Sequence, residues 1–229
     1  MKRLYLLLIL SIVGFISISA QTTAEKMTLI KDYLAENATK FLTVKGIELK
    51  PNMEMKYLLN EVEKKGWRRS DLFNEAYDTY GIYDLRGSFF NNYCKIKILP
   101  IHGDKKIVGI IGINLPERDS FKQLKKDYDN LKAALAEKYY MFENTESFDD
   151  NYVNESTSDY LKLNALSKDE GLFESRFQIS EDASSMLLGY IVLKISHLTF
   201  EYETSYYVSV SYCTSDCTIE QINAGDDDL

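Results

Sequence analysis

The residues best suited to covalent chemistry are three cysteines, two of which lie close together near the C-terminus. Cys213 and Cys217 are separated by three residues, and Cys94 lies in an apolar stretch. Thiols in an oxidising compartment are free to pair. We therefore expect a Cys213–Cys217 disulfide, with a Cys94–Cys213 pair as the alternative if their strands are neighbours. In the first case Cys94 acts as a small buried apolar residue.

Other catalytic constellations find little support in the sequence. The chain has two histidines, His102 in a predicted turn and His197 near a predicted strand end, and neither has a metal-ligand spacing from the cysteines. No phosphate-binding glycine loop is recognisable. A carboxylate pair is an open alternative, because the fold decides which of the 35 acidic residues meet. We predict no catalytic residue, no cofactor and no metal site.

Tyrosine is unusually frequent, with 17 residues in a chain of 229. Four tyrosines cluster near the C-terminus: Tyr202, Tyr206, Tyr207 and Tyr212. Tyrosine recurs at binding surfaces, although it also suits a half-exposed strand. Because side chains alternate along a strand, one ring of the Tyr206–Tyr207 pair must point away from the core. We predict that these four residues form a contact surface.

The N-terminus has the pattern of an export signal. Lys2 and Arg3 precede an apolar run over residues 4–18, and small residues follow. This pattern predicts a signal peptide over residues 1–20, cut after Ala20 or alternatively after Ser19. An uncleaved anchor is the competing interpretation. No later segment reaches the length of about 18 apolar residues that a membrane helix needs. We expect a periplasmic or secreted protein without stable membrane insertion after signal removal.

The charge balance limits the class of partner. The chain carries a net charge of -8 and has a sequence pI near 5.0. Nucleic acid would require a cationic surface on the protein, so we predict no nucleic-acid partner. Acidity also serves solubility, and it therefore identifies no partner by itself.

Two amphipathic helices are clearly marked. The first follows Pro51 and ends at Gly66, with Asn52 as its predicted cap and an apolar stripe of Met55, Leu58, Leu59 and Val62. The second begins at Ser120, which forms a predicted capping box with Gln123, and runs to about Lys138. Residues 21–40 form a predicted leader, either mobile or containing a short helix.

Alternating apolar residues predict the strands. They cover residues 83–89, 93–101 and 107–113, with a hairpin turn at 102–104, and later 171–179, 187–197 and 206–213. Residues 143–159 are acidic and polar and are predicted to be a surface loop. Residues 223–229 are predicted to be an acidic tail.

These elements predict an α+β fold, because helices interrupt runs of hairpin-linked strands. We expect one domain over residues 41–222, in which an antiparallel sheet has the two main helices on one face and leaves the other face partly exposed. The halves, about 41–115 and 116–222, share a helix-then-strands order. That order predicts a tandem structural repeat.

Five short motifs are spread across the mature chain: residues 44–47, the Lys65-Gly66-Trp67 helix end, and residues 105–109, 122–139 and 206–212. Together they resemble an uncharacterised family of secreted proteins from Gram-negative gut anaerobes. The chain departs from the family pattern at residues 48–51 and at the two C-terminal cysteines. More distantly, helix plus antiparallel strands in two copies is similar to lipoprotein-assembly small subunits and to β-lactamase-inhibitor-protein domains. The resemblance implies an antiparallel sheet with helices and supplies no catalytic residue.

The sequence therefore favours an exported, non-enzymatic module that binds a protein or a cell-envelope component. Two alternatives stay open. One is a carboxylate-dependent hydrolase of extracytoplasmic glycans, which needs two facing carboxylates in a concave pocket. The other is a small-ligand carrier, which needs an enclosed apolar cavity between the helices and the sheet.

Overall fold

The computed structural model describes residues 23–70, 80–149, 153 and 157–224. The predicted signal peptide and the end of the acidic tail lie outside these residues. The helices are α1 (Thr23–Asn37), α2 (Met55–Lys64), α3 (Phe121–Ala136), α4 (Asp159–Ser167) and α5 (Ser215–Ala224), with a 3-10 turn at Ala183–Leu188. None of the described helices is long and apolar enough to cross a bilayer.

Ten strands occur in the described part of the chain. They are β1 (Thr43–Val44), β2 (Ile47–Glu48), β3 (Arg68–Arg69), β4 (Tyr83–Phe89), β5 (Asn92–Ile101), β6 (Asp104–Asn114), β7 (Tyr140–Phe148), β8 (Gly171–Gln178), β9 (Gly189–Phe200) and β10 (Glu203–Thr214). β1 and β2 form a small hairpin, and the other eight form one antiparallel sheet. The α+β prediction is confirmed.

The strand order explains the repeated pattern of the sequence. Within the sheet the order is β3-β4-β5-β6-β10-β9-β8-β7. Helix α2 precedes the meander β3–β6, and helix α3 precedes the meander β7–β10. The last strands of the two meanders, β6 and β10, pair at the centre of the sheet. This is the arrangement that a tandem helix-plus-strands repeat requires.

Helix α2 buries the stripe that the sequence predicts, but it begins differently. Its four stripe residues are buried in the main core, and Trp67 after its end is fully buried. Asn52 does not cap the helix: it has a left-handed φ of 57°, and the helix begins after Glu54 without a side-chain cap. Gly66 has a φ of 93°, as a left-handed helix end needs.

Helix α3 also buries its predicted stripe without its predicted capping box. Phe121, Leu124, Tyr128, Leu131 and Leu135 are buried, and the Ser120 side chain does not cap the helix. The first turn is capped instead by Asp159, whose Oδ2 accepts the backbone N–H of Lys122 at 3.3 Å. The hydroxyl of the residue before the helix, Ser120, instead donates to Asp159 Oδ2 at 2.5 Å. A charged acceptor makes the stronger hydrogen bond, and α4 brings that carboxylate within reach.

The predicted loop at residues 143–159 is wrong in its first part. Residues 140–148 form β7, which pairs with β8 along most of its length. β7 is an edge strand, and both of its faces carry polar residues, so the usual apolar alternation is missing. Glu146 within it is held by Lys125 and Lys132 of helix α3. Residues 150–152 and 154–156 lie outside the described residues.

Helix α5 was not predicted. Its N-cap is Thr214, whose Oγ1 accepts a hydrogen bond from the backbone N–H of Cys217 at 3.4 Å. Its buried carboxylate, Asp216, lies 2.8 Å from Lys31 Nζ and accepts the backbone N–H of Asn52 at 2.8 Å. Residues 23–37 of the predicted leader form helix α1, and this ion pair ties α1 to helix α5.

The two faces of the sheet differ, as predicted, but both carry helices. Helices α2 and α3 cover the face that contributes the main core. On the second face, Gln221 of α5 accepts a hydrogen bond from Tyr190 of β9 at 2.9 Å. Helix α5 thus covers one end of the second face. The opposite end, at the β9–β10 turn, stays uncovered by the described residues and is called the open end below.

Candidate functional site

The four predicted contact tyrosines do not form one surface. Tyr212 is only 3% exposed and belongs to the core. Tyr206 shares that helix-covered side and packs its ring 6.5 Å from the ring of His197. Tyr207 points to the second face, and Tyr202 is fully exposed in the β9–β10 turn. Of the predicted set, Tyr202 and Tyr207 therefore lie at the open end.

A groove lies at the open end, where β6 stops. After Asn114 the chain continues beside β10 through the hydrogen bonds Leu115 N–H to Val208 O and Arg118 N–H to Tyr206 O, both 2.9 Å. The space between this segment and the neighbouring strands has a volume of about 290 Å³. Its lining includes Arg86, Tyr93, Lys95, Glu117, Ser205 and Tyr207. We call this space the open-face groove.

One carboxylate is fixed at the edge of the groove. Glu117 accepts hydrogen bonds from Lys95 Nζ and from Ser205 Oγ, each at 2.9 Å. The bond from Lys95 and then that from Ser205 hold the pKa of this carboxyl below its usual value, against a smaller opposing effect of burial. Glu117 is consequently ionised at neutral pH. It acts as a fixed acceptor and not as a proton donor.

A row of polar side chains crosses the second face beside the groove. Strand register places them directly opposite one another in the order Arg86, Lys95, Asn114, Ser209 and Lys194. Like charges in directly opposite positions, as in the Arg86–Lys95 pair, destabilise a sheet. Glu117 neutralises Lys95, whereas Arg86 forms no ion pair with any described residue. The groove therefore keeps a local positive charge within an acidic protein.

Large apolar side chains continue from the groove along the β9–β10 hairpin. Leu198 is 61% exposed, Phe200 is 73% exposed, and Tyr202 in the turn is fully exposed. We call these three residues the hairpin patch. Leu198 also lines the groove, so the patch adjoins the groove at this residue. Tyr93, 66% exposed, lies on the other side of the groove.

The sequence contained a signal for the hairpin patch. In β9 the buried residues Ile191, Leu193 and Ile195 fall on odd positions. Leu198 and Phe200 fall on even positions, so the two-residue period directs them to the second face. An apolar residue in the outward phase of a strand is the pattern that predicts such a patch.

The cysteines are thiols in the structure. Cys213 and Cys217 are buried and hydrogen-bonded to each other, with no disulfide. The alternative Cys94–Cys213 pair is wrong, because β6 separates β5 from β10 and the two side chains point to opposite faces. Cys94 is buried in the core as expected, and burial raises the pKa of its thiol to about 11.

Histidines and acidic residues form no metal centre in the described chain. His102 lies in the β5–β6 turn, and His197 packs against Tyr206. Among the described residues, no group of three or more His, Cys, Asp and Glu side chains is placed to hold a metal ion. The chemistry that the open end offers is thus apolar contact, hydrogen bonding and the positive charge of Arg86.

Comparisons with known proteins give no family for this chain. No family model, no curated protein and no solved structure matches it. The resemblance to secreted proteins of gut anaerobes and the similarity to inhibitor-protein domains accordingly stay predictions.

Proposed function

We propose that this protein is an exported, non-enzymatic binding module that contacts a protein or cell-envelope partner through the open-face groove and the hairpin patch. The observation that carries the proposal is the run of exposed apolar side chains along the β9–β10 hairpin, Leu198, Phe200 and Tyr202, of which Leu198 lines the groove. Contiguous exposed apolar side chains with a polar border are typical of interaction sites.

The composition of this surface supports a protein-like partner. Binding energy at protein interfaces is concentrated in aromatic and arginine residues that a polar rim shields from water. Here Tyr93 and Phe200 supply aromatic area, Arg86 supplies a cation, and Glu117 and Ser205 supply fixed polar groups. A partner that presents an apolar side chain next to a carboxylate would complement both parts. No cofactor is needed for such contacts.

The groove lends less support to the two alternatives. A general acid for glycan hydrolysis needs a raised pKa, whereas the pKa of Glu117 is lowered by Lys95 and Ser205. A small-ligand carrier needs an enclosed apolar cavity, whereas this groove is open and bordered by charges.

Export is part of the proposal and rests on the sequence alone. The signal pattern of residues 1–20 supports a periplasmic or secreted location, which would also favour pairing of Cys213 with Cys217. The measurement is N-terminal sequencing of the protein recovered outside the cytoplasm. A mature chain that begins at Gln21 supports the proposal, and a chain retained in the cytoplasm with Met1 intact contradicts it.

The binding surface is tested by capture from cell-envelope extract on immobilised protein. The test variant is Leu198→Ser combined with Phe200→Ser. The matched control is Tyr160→Ser combined with Leu161→Ser, since these residues are exposed apolar side chains on α4. All four residues are exposed, so both variants should keep the unfolding midpoint of the parent.

The proposal expects a partner that the parent and the control retain and that the hairpin variant loses. Equal retention by all three proteins would place the binding surface elsewhere. Recovery of no partner above the level of an unrelated acidic protein would contradict a binding role.

A further inference from the structure

The junction between β10 and α5 brings two thiols together. Cys213 is the last strand residue but one, and Cys217 is the third residue of the helix. The cap formed by Thr214 turns the chain so that the N–H of Cys217 points back to the end of the strand. The thiol of Cys217 then donates a hydrogen bond to the sulfur of Cys213. Both sulfurs are buried, so this contact is built into the fold.

Polar groups surround this pair. Tyr190 lies directly opposite Cys213 in β9, and its hydroxyl donates to Gln221 Oε1 at 2.9 Å. The amide of Gln221 in turn donates to Cys217 Sγ at 3.5 Å. Arg176, on the neighbouring strand β8, adds a positive charge that Glu174 and Glu143 partly compensate. Tyr190 and Gln221 thus form a hydrogen-bonded chain that ends on Cys217 Sγ, beside Cys213.

The surroundings of Cys94 and of Cys213 shift the pKa of the two thiols in opposite directions. Burial raises the pKa of Cys94. The pKa of Cys213 is lowered instead, chiefly by the hydrogen bond from Cys217 and to a smaller extent by Arg176, against the opposing effect of burial. A stabilised thiolate is one feature of reactive cysteines, but their sulfurs are usually partly exposed, so reaction of this buried pair requires local opening.

We propose that Cys213 and Cys217 are a redox-active dithiol, in which Cys213 attacks a small disulfide oxidant and Cys217 resolves the mixed disulfide. This inference is independent of the binding function, because the pair lies at the opposite end of the second face from the groove. It also differs from the static disulfide that the sequence predicts, because the pair would alternate between the two thiols of this structure and a Cys213–Cys217 disulfide.

The chemistry is a thiol–disulfide exchange in two steps. The Cys213 thiolate attacks one sulfur of the oxidant, which releases its other half as a thiolate and leaves a mixed disulfide on Cys213. Cys217 then loses its proton and attacks the Cys213 sulfur, which releases the second half. The pair loses two protons and two electrons, and the oxidant disulfide is reduced to two thiols.

The bridge would alter the start of α5. Oxidation removes the thiol proton that Cys217 donates, and it ties the third helical residue to the strand. Access to the sulfurs requires local opening of this C-terminal helix, which is the last described element of the chain. Reaction should therefore be slow in the folded protein and complete over long incubation.

The test uses the full chain, reduced and then incubated with oxidised glutathione. Remaining thiols are alkylated after unfolding, and the protein is analysed by mass spectrometry with peptide mapping. The expected product keeps one alkylated residue, Cys94, and contains a Cys213–Cys217 link. A product with all three cysteines alkylated, or with a link to Cys94, would overturn the proposal.

Two variants assign the roles of the sulfurs. In Cys217→Ser the resolving thiol is absent, so the mixed disulfide with glutathione should accumulate on Cys213. In Cys213→Ser the attacking thiol is absent, and Cys217 should acquire much less adduct over the same time. Equal adduct on both variants, or more on Cys217, would refute the assignment of Cys213 as the attacking residue. Circular dichroism of both variants checks that α5 and the sheet are retained.

Discussion

The absence of a side chain at Gly87 lets strand β4 pack directly against Trp67, and replacing this glycine should lower stability. A Cβ atom at this position would lie 2.3 Å from Trp67 Cδ1 and 3.0 Å from Trp67 Cα. The indole cannot retreat freely, because it is fully buried and its Nε1–H donates to Ser88 O at 3.2 Å. Overpacking of a core costs about 1–3 kcal/mol. Gly→Ala also stiffens the unfolded chain, which offsets about 0.4–1 kcal/mol.

These two effects together lower the free energy of unfolding of Gly87→Ala by about 0–2.6 kcal/mol. We expect the upper half of this range because the new Cβ would lie only 2.3 Å from Trp67 Cδ1. Gly112→Ala is the matched control, since Gly112 is also a strand glycine without a left-handed φ. Its new Cβ would meet only Lys97 O, at an ordinary distance of 3.8 Å. That substitution should leave stability unchanged or raise it by up to about 1 kcal/mol.

The assay is urea unfolding followed by far-ultraviolet circular dichroism. Fluorescence alone is unsuitable, because Trp67 is the single tryptophan and its surroundings change in the variant. The expected result is a lower midpoint for Gly87→Ala than for Gly112→Ala, with similar slopes. Coinciding midpoints would refute the reasoning, because they would mean that the Trp67 contact accommodates a methyl group without cost.

Three further predictions concern the core and its ion pairs. Leu58→Asp places a charge at a fully buried position and should unfold the domain, whereas Tyr57→Asp on the exposed side of the same helix should melt near the parent temperature. Tyr128→Phe removes a buried hydroxyl that lies 2.6 Å from Ser175 Oγ, and Ser175 keeps its hydrogen bond to Asn144, so urea unfolding should show a loss of about 0.5–1.5 kcal/mol. Glu146 is partly desolvated, which raises its pKa, but hydrogen bonds from two α3 lysines outweigh this and lower the pKa below 4.5. The contribution of Glu146 to stability should be complete above pH 4.5 and should be lost as the pH falls through its folded-state pKa. Glu146→Gln should therefore reduce the loss of stability at acid pH when the free energy of unfolding is measured against pH. An unchanged loss at acid pH would contradict the pairing.

Regular apolar spacing accounts for what could be predicted. Helices α2 and α3 and strands β5 and β9 each bury one side in the core. One-sided burial gives apolar residues a regular spacing in the sequence, and this spacing predicts the element. The β5–β6 turn was predictable because Gly103 supplies a left-handed φ of 84° in a two-residue connection.

The missed features depend on partners that are distant in sequence. β7 was missed because an edge strand with two polar faces has no apolar period. Helix α5 was missed because its first turn buries polar residues, which an apolar pattern does not predict. One of them, Asp216, is buried because Lys31 and the backbone N–H of Asn52 pair with it, and both are distant in sequence. The groove could not be predicted for the same reason, since its residues come from five strands and from the segment after β6, and only the fold brings them together.

The central position of β10 has a consequence for how the chain folds. β10 is the last described strand, yet it lies between β6 and β9, and it pairs with a strand on the order of 100 residues earlier. Until β10 inserts, β6 and β9 each present an unpaired edge, and such edges recruit other chains. The N-terminal half can form its own meander early, but the sheet becomes continuous only when the C-terminal strand arrives. A chain that stops before residue 203 would therefore contain two separate half-sheets with unpaired inner edge strands. We expect such a chain to aggregate and not to form a smaller folded protein.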